Sequence, residues 1–339
     1  MTSEELPEWL GGWCARHLGH EPESVLFQQR SISAVFGLRL TDGRDVVVKA
    51  REDDGRTATC VAVQVRLARR GFPCPLPITP VSAVGELGVH AEEFRPGGEM
   101  LRGDSPEIAV RYAKVFARLM AELAELAELG ELAGLAGLAG LAKLAEPSEA
   151  PFVPFGPFGP FVPPLPNPRW ARWDHTDPGL WPSIAVLDER DQSAVPAYVV
   201  ETAERARACL LAAELPCVLG HADFEAQNLR WRDGEVWAVH DWDSLAWQPE
   251  AALVGAACGT FSTVSPPTLA PVESSAAFLT AYQEFRGRTF TAREREVAWA
   301  ASLWPALHNA RWEALFGDAP VCGDEVREQG PERLRRANA

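Results

Sequence analysis

The residues best suited to do chemistry are His221, Asp223 and Asn228, followed thirteen positions after Asn228 by Asp241. They offer a base, an amide ligand and a metal-binding carboxylate. Phosphoryl transfer from a magnesium nucleotide needs such groups: a carboxylate to orient the attacking hydroxyl, and hard oxygen ligands for the metal. A rival set takes His221, Asp223, His240 and Asp241 as nitrogen and oxygen ligands of a metal hydrolase. That alternative leaves Asn228 without a role.

Turn chemistry indicates the elements that must position these residues. Asp233 and Gly234 separate two apolar runs, 229–232 and 235–239. An Asp-Gly pair between such runs predicts a hairpin, because both turn residues take positive φ. A two-residue turn sets Arg232 opposite Glu235 and Asn228 opposite Val239. Asn228 and Asp241 then share one end of the hairpin, and Asp223 lies in the loop that feeds its first strand. A second Asp-Gly turn, at Asp42 and Gly43, joins residues 35–40 to 45–49. Side chains alternate along a strand, so Val47 and Lys49 share a face. Val47 can cover an adenine while Lys49 reaches phosphates. Taken alone, Lys49 also fits an edge-strand lysine that discourages aggregation.

The pattern H-x-D-x-x-x-x-N over 221–228, with D-W-D at 241–243, resembles the aminoglycoside phosphotransferase family, a branch of the protein-kinase-like fold. The resemblance implies an α/β (α+β) bilobal architecture: a small N-lobe over 1–91 with a sheet and one helix, a hinge over 92–98, and a mainly helical C-lobe over 99–339. It implies a catalytic carboxylate at Asp223, magnesium ligands at Asn228 and Asp241, and a structural role for His221. Asp243 matches a recurrent acidic position. V-V-V-K at 46–49 resembles the strand that carries the phosphate-contacting lysine. The turn before residue 34 would lie over the phosphates, where Ser31 and Ser33 offer hydroxyls or amides. Adenine would pair with backbone groups near Glu92 and Phe94. The co-substrate would be ATP or GTP with Mg2+, and the acceptor a small-molecule hydroxyl, such as that of an antibiotic or an amino alcohol.

Two positions depart from the family pattern. A helix is expected over 57–70, ending at Gly71 with Pro73 beyond. The family usually carries there a glutamate that pairs with the lysine; here Cys60 stands near that place and Gln64 one turn later. Glu52, Asp53 and Asp54 precede the helix and are the nearest substitutes. Further on, an aspartate common in the family is replaced by Ala252, with Glu250 as the nearest carboxylate. These departures motivate a second reading, a nucleotide-binding protein with little catalysis.

Residues 107–123 read as a helix with one apolar face. A low-complexity insert over 122–168 follows, first in Ala-Glu-Leu and Ala-Gly-Leu triplets, then rich in proline. A three-residue period rotates its leucines around a helix, and Gly130, Gly134, Gly137 and Gly140 weaken it. Residues 197–214, 278–285, 292–304 and 306–316 read as further helices, and 333–339 as a frayed tail.

The chain has 339 residues, room for two lobes, with 47% hydrophobic and 23% charged residues. No apolar run reaches the roughly eighteen residues that suggest a membrane span. The acidic N-terminus shows no signal peptide, so a cytoplasmic protein is expected. Seven scattered cysteines without C-x-x-C spacing suit free thiols. A formal net charge of −15 argues against nucleic-acid binding. Protein partners are not legible.

Overall fold

The structure is a computed structural model that describes residues 6–30, 33–101, 103, 105–138, 165–266 and 268–339, with backbone alone for 127–138. The chain forms two compact units, one built on the residues up to Gly97 and one on Gly98–Leu129 and Pro163–Ala339.

The first unit starts with helix α1 (Glu8–Leu18) and strands β1 (Pro22–Arg30), β2 (Ala34–Leu40) and β3 (Asp45–Glu52). Helix α2 (Thr57–Arg69) and strands β4 (Ser82–Val84) and β5 (Leu87–Glu93) complete it. The strands make one antiparallel sheet in the order β1-β2-β3-β5-β4. The hairpin forms at the Asp-Gly pair, but only Gly43 takes positive φ, 84°, while Asp42 does not; the Gly43 N–H donates to the Leu40 carbonyl at 2.9 Å. One face of the sheet packs Phe36, Leu38, Val46, Val48, Ala50 and Val89 against Leu10, Trp13 and Cys14 of α1. Alternation therefore turns Val47 and Lys49 to the other face. Helix α2 stops one residue before the expected end, where Gly71 adopts φ 82°.

The second unit is mainly helical. Helix α3 (Pro106–Leu138) is longer than the apolar periodicity predicts, and its helical backbone enters the triplet insert. Ala, Leu and Glu are strong helix formers, and over this stretch they outweigh a cost of about 1 kcal/mol per glycine. The proline-rich part of the insert lies outside the described residues. After α4 (Ala185–Asp188) and α5 (Ala197–Leu211), strands β6 (Cys217–His221), β7 (Leu229–Arg232), β8 (Glu235–Val239) and β9 (Leu245–Pro249) form two small sheets, β6-β9 and β7-β8. Helices α6 (Glu250–Thr260), α7 (Val272–Arg286), α8 (Ala292–Ala301), α9 (Trp304–Phe316) and α10 (Val321–Arg336) follow. Tyr112 and Phe116 of α3 meet Phe224, Phe261 and Phe278, so the loop after β6 is seated on an aromatic core.

The frayed tail is corrected. Residues 333–336 belong to α10, and Arg333 is fully buried, donating to the hydroxyls of Ser302 and Ser275 and to the Ala270 carbonyl. A charged terminal segment reads as solvated in sequence, but here its arginine finds buried acceptors. No helix among the described residues is long and apolar enough to cross a membrane.

Candidate active site

On the first unit, register sets the site. Phe27, Gly37, Val47 and Glu92 are successive cross-strand partners, so they form one row on the face opposite α1. Val35, Lys49 and His90 form the adjacent row. Lys49 and Glu92 are thus diagonal neighbours on β3 and β5, within reach of long side chains. Lys49 Nζ lies 2.9 Å from Glu92 Oε1. Gln64 Nε2 of α2 donates to Glu92 Oε2 at 2.9 Å and to the Pro75 carbonyl at 2.9 Å. Burial by itself would raise the Glu92 carboxyl, but Lys49, His90 and the Gln64 amide hold it below its ordinary value.

Two expectations change here. The carboxylate that pairs with Lys49 comes from β5, and the helix supplies an amide that steadies it. Asp53 and Asp54 instead accept from the backbone N–H groups of Gly55 and Arg56. Glu92 was expected to offer backbone to adenine, yet it sits inside β5, flanked by Val47 on one side and Pro77 on the other. The β3–β5 ladder closes at the Val46–Glu93 pair, so Phe94 is the first residue past it. Phe94 packs near Phe27, with ring centroids 5.9 Å apart. Gly37 lets the Phe27 ring lie on the sheet, since a Cβ there would come 2.1 Å from that ring. Ser33 directly precedes β2, and Ser31 lies outside the described residues.

On the second unit, the predicted hairpin forms with a shifted register. Arg232 pairs with Glu235 as expected, but a bulge between Arg230 and Trp231 sets Leu229 opposite Val239. Asn228 then accepts, through its carbonyl, from the His240 N–H at 2.8 Å. The bulge inserts one residue in the second strand, which a count from the turn cannot foresee.

His221 ends β6 and is buried. Its Nε2 faces the His240 carbonyl at 3.2 Å, and its Nδ1 accepts from the Asp223 N–H at 3.2 Å. Desolvation lowers its pKa to about 4, so the ring is a neutral strut between the loop and the hairpin. Asp223 Oδ2 accepts from Asn228 Nδ2 at 3.0 Å, and the same amide donates to the Asp223 carbonyl at 3.0 Å. With its nitrogen so engaged, the Asn228 amide oxygen is the end left for a cation. Asp241 takes the left-handed conformation, φ 63°, and accepts from Ser244 Oγ at 3.0 Å. Its carboxyl lies against that of Asp223. Asp243 is close enough to His221 to act on its charge.

Glu225 was not singled out from the sequence, although it lies two residues past Asp223. It is buried, and desolvation lifts its pKa to about 7. Asp223 is held well above the ordinary carboxylate range, first by desolvation and then by the charge of Glu225. Among the described residues no group of three or more histidine, cysteine or carboxylate side chains is arranged to hold a metal by itself; magnesium commonly takes only one or two protein carboxylates and completes its shell with phosphates and water. The other departure, Ala252, is buried in α6. Glu250 does not take its place: it accepts from Tyr282 Oη at 2.5 Å and from Arg288 at 2.6 Å.

The family model described as "Phosphotransferase enzyme family" matches residues 28–288. No curated protein matches the chain. Among solved structures, an amicoumacin kinase in complex with AMP-PNP, Ca2+ and its ligand is 11% identical with TM-score 0.61, covering 96% of this chain and 92% of that one. A spectinomycin phosphotransferase in complex with ADP and spectinomycin is 9% identical with TM-score 0.52, covering 98% and 94%. An aminoglycoside phosphotransferase from Alicyclobacillus acidocaldarius is 12% identical with TM-score 0.50, covering 99% and 95%. At such identities the likeness shows the fold, the protein-kinase-like one expected from the sequence. The chain belongs to the phosphotransferase enzyme family and, with that family, is a small-molecule phosphotransferase.

Proposed function

We propose that the enzyme moves the γ-phosphate of ATP or GTP, with magnesium, to a hydroxyl of a small molecule. The observation that carries this reading is the loop at Asp223. Its backbone is pinned by His221, its carboxylate is oriented by Asn228, and Asp241 lies against it. Asp223 would orient the acceptor hydroxyl and take its proton. The hydroxyl oxygen bonds to the γ-phosphorus as the bond from phosphorus to the β–γ bridging oxygen breaks, and the nucleoside diphosphate leaves. Asn228 and Asp241 would hold magnesium, which, when bound, neutralises charge on the phosphate oxygens. Lys49, fixed by Glu92, would steady the non-reacting phosphates, and Val47, with Phe27 and Phe94, would cover the base. Positioning and electrostatics supply most of such catalysis.

The reading with little catalysis rested in part on a lysine without its carboxylate partner. Glu92 supplies that partner. The hydrolase reading asked His221 to ligate a metal, but both its ring nitrogens face backbone groups.

Thermal shift with ATP and GTP tests the proposal. A magnesium-dependent rise in Tm that Asp241→Ala abolishes is expected. No rise with either nucleotide would sink the reading, and a rise that persists in Asp241→Ala would remove the metal assignment.

A further inference from the structure

Asp223 and Glu225 line a cavity of about 70 Å³ on the second unit. Trp170, Trp173, Trp304 and His308 line it too, and no lysine or arginine does among the described residues. Two polar atoms of these lining residues, Trp304 Nε1 and His308 Nδ1, are buried without a hydrogen-bond partner. Trp304 is 3% exposed. Of the other buried indoles, Trp13 donates to Ser82 Oγ and Trp242 to the Val239 carbonyl, whereas Trp231 Nε1 is unpaired like that of Trp304 but is not among the residues lining this cavity.

An unpaired buried donor destabilises a fold, so one retained beside a reacting group suggests a ligand that completes it. The chemistry of the two atoms narrows that ligand. An indole N–H can only donate, so it requires an oxygen acceptor on the ligand. Burial and the charge of Arg311 push the His308 imidazole down to about 4, which leaves the ring neutral. A neutral imidazole nitrogen pairs with a hydroxyl whichever tautomer it adopts, because a hydroxyl both donates and accepts. One hydroxyl must face Asp223 to react. The oxygen for Trp304 is therefore a second one on the same molecule.

Resting on the phosphotransferase reading above, we propose that Trp304 and His308 determine acceptor specificity. They select a molecule with at least two neighbouring oxygens, a sugar or polyol, over an amine with a single hydroxyl. The tryptophan faces suit the apolar side of a sugar ring, and the small volume limits entry to the reacting end of the acceptor. A single-hydroxyl amine satisfies Asp223 and Glu225 but leaves the Trp304 N–H unpaired.

The test measures magnesium- and ATP-dependent release of ADP by the full chain with two sets of compounds. One set is ribose, inositol, glycerol and a methyl glucoside; the other is choline and ethanolamine. Turnover is expected in the first set. Trp304→Phe keeps a ring and removes the N–H, so it should raise the acceptor KM about tenfold, the worth of one lost hydrogen bond, with kcat and the KM for ATP little changed. His308→Phe should act in the same direction and serves as the second variant if Trp304→Phe does not fold. Turnover of the amines at equal or better efficiency overturns the proposal, as does an acceptor KM unmoved in the folded variants. Nucleotide binding with no turnover of any compound in the first set overturns it as well. Absence of magnesium-nucleotide binding is a separate result, which removes the phosphotransferase reading and this proposal with it.

Discussion

Glu92 is almost wholly withdrawn from water, and three residues keep it ionised: Lys49 from the neighbouring strand, His90 on its own strand and Gln64 from the helix. Breaking a buried pair strands the remaining charge, at about 3–5 kcal/mol. Glu92→Ala should therefore lower the stability seen in denaturant unfolding by that order and raise the KM for nucleotide, while Glu92→Gln, which preserves the shape, should cost less. An unchanged nucleotide KM in Glu92→Ala would remove the positioning role from the pair. Asp223 should behave in the opposite way. Its carboxylate is desolvated and repelled by Glu225. Asp223→Asn deletes that unfavourable charge and retains an oxygen for the Asn228 amide. The expected outcome is a Tm equal to or above that of the parent, with kcat reduced about 10²–10⁴-fold. A variant that retains full kcat would show that another group takes the proton.

At the level of elements, α6 and α8 pack through glycine. A Cβ on Gly255 would come 2.2 Å from the Ala298 carbonyl oxygen, and one on Gly259 would come 2.2 Å from that of Ser302. Both obstacles are backbone, so neither can rotate away. Gly12, on the exposed side of α1, has nothing within 4 Å of its would-be Cβ. Replacing glycine by alanine gains about 1 kcal/mol in helix propensity at either place. At Gly255 overpacking costs about 1–3 kcal/mol or more and prevails against rigid backbone. Gly255→Ala should lower stability and Gly12→Ala should raise it, as read from paired urea midpoints. The same sign at both positions would contradict the close packing of α6 on α8. The bulge in the β7–β8 hairpin is likewise an element-scale device, because it brings the carbonyl of Asn228 opposite the N–H of His240.

For the whole molecule, acid should act on stability through its buried imidazoles. The pKa of His308 lies near 4 in the fold, depressed by burial and by Arg311. Unfolded, it returns to about 6.5. Between those values the unfolded chain binds the extra proton, so stability falls as pH drops from about 6.5 to 4 and is unaffected by this group above that window. The full effect is about 3 kcal/mol. Asp223 and Glu225 are shifted upward and work in the opposite sense, so the comparison must isolate one histidine. The stability of the parent relative to His308→Gln should decline between pH 7 and pH 4.5. A constant difference across that range would show that His308 is not held neutral by the fold.

Local chemistry in the sequence was enough for much of the site. The two Asp-Gly turns, the shared face of Val47 and Lys49, the ends of α2 and the cluster from His221 to Asp241 depend on residues a few positions apart. Turn preference, strand alternation and helix stops act over that range. Other features depended on the tertiary structure. The β3–β5 register brought Glu92 to Lys49 across more than forty residues, and the bulge moved the partner of Asn228 by one. Burial of Arg333 in the core of the second unit turned an expected tail into a packed helix. Trp304 and His308 reach the Asp223 cavity from about eighty residues downstream. Such pairings are chosen by the packing of whole faces, where each side chain's partner depends on all the others at once. The nearby spacing that reveals a turn or a strand face carries no record of them.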